Sequence, residues 1–121
     1  MSGTYGSKRL VVGAHYGLRD WLVQRSTGVL MAVFTLVVFG RLLLTEGPID
    51  YAVWAGLFSG VCMKSLTFMI VMSLAWHAWV GARDIWMDYI KPVSLRLLAD
   101  VLTIAWLVAC IGMALRVLWR I

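Results

Sequence analysis

The stretch SLTFMIVMSLAWHAWVGA, Ser65 to Ala82, carries no Lys, Arg, Asp or Glu. With its flanks it is long enough to cross a bilayer as one helix. An imidazole, His77, sits inside it and needs a partner there. Two chemistries supply one. His77 can hydrogen-bond across a helix pair, or a ring nitrogen can ligate a metal or a haem iron, for which imidazole is the commonest protein donor. Helical bundles build such cofactor sites from side chains on facing helices.

The rest of the chain suits the same solvent. Of its 121 residues 62% are hydrophobic and 14% charged, with a mean hydropathy of +0.87, more apolar surface than a soluble domain of this size can hide. Three spans consume much of that length, so residues 1–121 form one transmembrane domain. The first span covers about residues 26–44, with Arg25 at its entrance and Arg41 near its far end, where a long stem reaches the headgroups. Glu46, Gly47 and Pro48 end it. Tyr51 to Gly60 places Trp54 and Phe58 among small residues, as in a short interfacial helix over about 51–60. The second span covers about 65–87 and is closed by Lys91-Pro92, because proline cannot continue the hydrogen-bond ladder. The third covers about 97–119, its apolar core Val101 to Leu115 bracketed by Asp100 and Arg116 and anchored by Trp119. The expected fold is therefore an all-α membrane protein with three transmembrane helices.

The net charge of +5 does not indicate nucleic acid, because the basic residues flank apolar segments instead of forming a patch. Cys62 and Cys110 have no paired spacing and read as small buried hydrophobes. Lys8 and Arg9 precede only the short apolar pair Val11 and Val12 before polar residues intervene, so no signal peptide is expected.

On a helix turning 100° per residue, Asp84 and Asp88 project within about 20° of the line through His77. Gly81 lies between them on that face, where a residue without a side chain admits either another helix or a flat macrocycle. Trp76 and Trp79 flank the face. Tyr89 stands about 18 Å along the axis from His77, at interface depth. A tyrosine there serves as an aromatic-belt anchor or offers its hydroxyl to a bound carbonyl.

His77-Ala78-Trp79-Val80-Gly81, followed by Asp88-Tyr89-Ile90-Lys91-Pro92, resembles the signature of the small hydrophobic membrane anchor of bacterial succinate dehydrogenase, respiratory complex II. Arg19-Asp20-Trp21-Leu22-Val23-Gln24-Arg25-Ser26-Thr27 resembles that family's arginine-bearing lead into the first helix, and the Tyr51, Trp54, Gly56, Phe58 pattern with Lys64 beyond resembles its stretch before the second. The likeness runs from Arg19 to Arg96 residue by residue. It implies an anchor that pairs with a larger cytochrome b subunit to hold haem b and ubiquinone, and that docks the iron-sulfur subunit and, through it, the flavoprotein. His77 would be an axial ligand to the haem iron, the other axial histidine coming from the partner. Arg25 would neutralise a haem propionate, and Tyr89 with nearby Asp88 would meet the ubiquinone headgroup. Arg19 stands where some relatives have a histidine, and His15 does not match the motif.

Two other classes share parts of this pattern. A haem-free anchor of a fumarate reductase-like complex has the same fold and no need of His77. A small multi-span transporter has a similar length but calls for a fourth span and a membrane-embedded carboxylate, which the first two apolar cores lack.

Of the 11 basic residues, Lys8, Arg9, Arg19, Arg25, Arg83, Lys91 and Arg96 fall on one side of a three-span chain and Arg41, Lys64, Arg116 and Arg120 on the other. The larger group marks the cytoplasmic side, with the C-terminus outside the bacterial cytoplasmic membrane. An alkaline phosphatase fused to the C-terminus should accordingly be active in cells. An inactive fusion, paired with an active cytoplasmic reporter at the same point, would overturn this topology.

Overall fold

A computed structural model describes the backbone of residues 14–121 and the side chains from residue 17 onward. Lys8, Arg9 and the side chain of His15 lie outside the described residues. The elements are α1 (Ala14–Leu43), α2 (Tyr51–Phe58), α3 (Val61–Tyr89) and α4 (Val93–Arg120). Three long helices and one short one are what the sequence leads one to expect, and no strand occurs among the described residues.

The helix ends differ from expectation for identifiable reasons. α1 is 30 residues long, about 45 Å, so the polar lead before Ser26 continues the helix instead of approaching it as a loop. Nothing in that lead breaks the ladder, and Asp20 within it is paired to Arg83 of α3. α4 begins at Val93, several residues before the expected start at Leu97. Pro92 sits at its N-cap with φ −64° and ψ 128°, and its carbonyl accepts the first helical bond from Arg96 N at 3.0 Å. Proline is tolerated at such a position because its missing N–H is not needed there. Between α1 and α2 the chain turns at Gly47, whose φ of 91° suits a residue without Cβ. Asp50 then caps α2, its carboxylate accepting from Val53 N at 2.9 Å.

α3 is the central element: it packs against α1, α4 and α2. Its most apolar stretch has a mean hydropathy of 1.4, against 1.9 for that of α1 and 2.2 for that of α4. Some of its polar residues face other helices, whereas Ser65, Asp84, Asp88 and Tyr89 are exposed. Near its N-terminus, Phe68 meets Trp119 edge-on at 6.3 Å, and Lys64 Nζ donates to the carbonyl of Ile121 at 3.2 Å. Near its C-terminus, Trp86 Nε1 donates to Thr103 Oγ1 at 2.9 Å, and that hydroxyl donates onward to Ala99 O.

Among the described residues only Phe58, Val80 and Leu118 are buried, while large apolar side chains stand exposed along all three long helices. Surface of this kind is stable against lipid or another subunit and not against water. Cys62 and Cys110 belong to it: both are exposed, not buried as their composition suggested. The reason is geometric, since a row of helices has an outer surface as apolar as its seams.

The Trp86–Thr103 bond should couple α3 to α4 by about 0.6 kcal/mol, with about 1.7 as the upper end for such bonds in a membrane. A double-mutant cycle with Trp86→Phe and Thr103→Val, read by denaturation of the solubilised protein, measures it directly. Additive losses would show that the contact contributes nothing.

Candidate functional site

α1 and α3 run antiparallel along a seam with two polar rungs and, between them, a packing contact. Asp20 accepts a charged hydrogen bond from Arg83. Gln24 lies over Gly81, where an added Cβ would come to 3.5 Å from Gln24 Nε2. Thr27 Oγ1 stands 3.0 Å from His77 Nδ1. The imidazole passes over Gly28, where a Cβ would meet His77 Cε1 at 3.8 Å. The steps along α1 are each about one turn, while those along α3 are two and four residues, and positions 20, 24 and 27–28 of α1 meet positions 83, 81 and 77 of α3 in reverse order.

Each rung answers a local requirement. Thr27 also donates to Val23 O at 2.6 Å, the backbone bond that a threonine in a helix commonly makes. The Asp20–Arg83 pair, with side chains 29% and 32% exposed, brings two charges together near the helix ends, where neither alone is cheap to desolvate. Gly81 faces α1 through Gln24.

On one side of the seam lies an open cleft of about 510 Å³ lined by Gly17, Asp20, Trp21, Gln24, Arg25, His77 and Asp84. The half-buried imidazole thus shares a wall with Arg25, whose guanidinium lies 5.8 Å from the Trp21 ring centre in cation–π contact. Asp84 joins His77 in this cleft as the helical spacing implies. Gln24 Oε1 is buried with no hydrogen-bond partner among the described residues. On the other side is a smaller cleft of about 290 Å³ containing Arg19, Arg83, Trp76 and Trp79. Arg19 and Arg25 therefore line opposite sides of the seam, and only Arg25 is on the side of His77.

Asp88 and Tyr89 are not brought to this cleft. Both are exposed at the C-terminal end of α3, Tyr89 at 80%, and neither lines one of the clefts just described. Among the described residues no group of three or more His, Cys, Asp or Glu side chains converges on a metal position. The seam offers a single imidazole donor.

Sequence reading missed Thr27, Gln24 and the Asp20–Arg83 pair as members of the site. Opposite charges at matching depth on the first and second spans were a usable signal for the pair. Thr27 gave none, because hydroxyls that satisfy themselves on their own backbone are common in helices.

Fold and site together define a small three-span helical membrane subunit with one imidazole held at a seam between two helices. Residues 4–112 match the family of succinate dehydrogenase/fumarate reductase transmembrane subunits, and the chain belongs to that family. It is 39% identical, over 103 residues spanning 85% of this chain and 89% of the relative, to the succinate dehydrogenase hydrophobic membrane anchor subunit of Coxiella burnetii. The chain is a membrane anchor of the succinate dehydrogenase kind, and the transporter reading falls away.

Proposed function

We propose that this anchor, with a larger cytochrome b subunit, holds haem b and forms a site for ubiquinone, while docking the iron-sulfur subunit and through it the flavoprotein. The observation that carries the haem reading is that His77 and Arg25 line one cleft. An imidazole donor and a guanidinium match the two ends of a haem, its iron and its propionates. The residues fit the group. When bound, haem b supplies one-electron transfer within the membrane. His77 would hold the group through a ring nitrogen, a histidine of the partner would supply the second, and Arg25 would offset the propionate charge that is otherwise costly in a low-dielectric seam.

Succinate chemistry is assigned to the flavin of a soluble partner, so this chain's part is to bind and orient the electron acceptor. Tyr89 stands exposed where α3 ends, deep enough for a lipid-soluble substrate and shallow enough for proton uptake from water. Its hydroxyl donates to one quinone carbonyl and stabilises the negative charge that reduction places there. Asp88 beside it relays a proton from the aqueous side. The high exposure of both residues supports a quinone site completed by other subunits. The N-terminal side of α1 and the loop between α3 and α4 face the cytoplasm in this reading.

His77→Ala should alter the haem absorption spectrum of the purified complex while the subunits still assemble. Full haem occupancy with an unaltered spectrum would remove His77 as a ligand.

Tyr89→Phe should lower succinate:quinone reductase activity by roughly one to two decades, the equivalent of losing a charge-assisted hydrogen bond of about 1.5 to 3 kcal/mol. Succinate oxidation by a dye that accepts electrons before the quinone should be unchanged. Loss of both activities would make Tyr89 a docking residue, and loss of neither would leave it a belt tyrosine.

A further inference from the structure

We propose that Thr27 is a positioning residue for His77: it takes the Nδ1 proton as a hydrogen-bond acceptor, so that Nε2 carries the free lone pair and the ring plane is set by α1. This inference rests on the haem-ligand reading of His77 and specifies which nitrogen serves.

The geometry decides the direction of the bond. Thr27 Oγ1 lies 2.6 Å from Val23 O, 3.3 Å from Gln24 O and 3.0 Å from His77 Nδ1. A hydroxyl has one proton to give and two lone pairs to offer. Were that proton directed at Nδ1, the 2.6 Å approach to the Val23 carbonyl would set two lone-pair oxygens against each other with no hydrogen between them. Directed at Val23 O, it makes a short, sound hydrogen bond and leaves a lone pair facing Nδ1. Nδ1 therefore bears the hydrogen, and the neutral ring keeps its other nitrogen unprotonated. Histidines that ligate metals commonly donate their second N–H to an acceptor in this way, which fixes tautomer and orientation and raises the ring's basicity. Threonine adds stiffness, since branching at Cβ and the bond to the preceding turn hold its hydroxyl in one place. Gly28, on the same helix, leaves room for the ring: a side chain there would bring its Cβ to 3.8 Å from His77 Cε1.

Thr27→Val keeps the shape and removes the acceptor. Loss of a hydrogen bond to the ligand weakens electron donation to the iron, favours the reduced haem and raises its midpoint potential. At a fixed ambient potential the oxidised-to-reduced ratio should fall roughly two- to tenfold, at most about 59 mV for a one-electron couple. The low-spin EPR signal should broaden or shift as the ring loses its fixed plane, and Thr27→Ser should restore both properties. A Thr27→Val complex with wild-type potential and EPR signal, in which His77→Ala does perturb the haem, would overturn the positioning role and leave ligation standing. A Thr27→Ser complex that behaves like Thr27→Val would likewise overturn it. An unperturbed haem in His77→Ala would overturn both readings together. Should Thr27→Val fail to assemble, the unsubstituted complex still decides: ¹⁵N-histidine solid-state NMR of the reduced, diamagnetic state, assigned through contact with the Thr27 methyl, should show a protonated Nδ1. An unprotonated Nδ1 would overturn the inference.

Discussion

A polar side chain inside a bilayer has no water to fall back on, and that constraint organises the seam between α1 and α3. Asp20 meets Arg83 and Thr27 meets His77, so most of the awkward groups of one helix find an answer on the other. These rungs set the depth and rotation of α1 against α3 more sharply than apolar packing can, because apolar side chains gain little from one another that lipid does not also supply. The cleft that joins His77 to Arg25 is a by-product of this register. If the helices were to slide by a turn, the charged pair and the imidazole contact would be lost together.

The same economy explains why α3 is central. It is the helix covered from two sides, and its His77 and Arg83 answer Thr27 and Asp20 of α1. α1 and α4 each turn a broad apolar face outward, suited to lipid or to another subunit. The cleft is open along that outer surface, and the exposed end of α3 with Asp88 and Tyr89 is similarly unfinished within this chain.

Much of the fold was legible from hydropathy and from a few breaking residues. The three spans, the short helix at Tyr51 and the turn at Gly47 follow from apolar length and from Pro and Gly placement. The helix starts were less legible. Arg19 and Asp20 look like residues outside a membrane helix, and only the facing Arg83 shows why the helix runs through them. Within the site, the shared face of His77 and Asp84 follows from helical periodicity, and both line one cleft. Thr27 and Gln24 were invisible for a different reason: their importance arises from the register between two helices, which periodicity within either helix does not encode. Cys62 and Cys110 were misplaced because hydrophobic character implies burial only when water is the alternative.

The central claim is that this seam presents an imidazole to a haem shared with a second anchor. The reduced-minus-oxidised absorption spectrum of the purified complex, with haem quantified per anchor pair, tests it most directly. The account predicts one b-type haem with the spectrum of a low-spin, six-coordinate iron. A fully assembled complex that reduces quinone and contains no haem would contradict it.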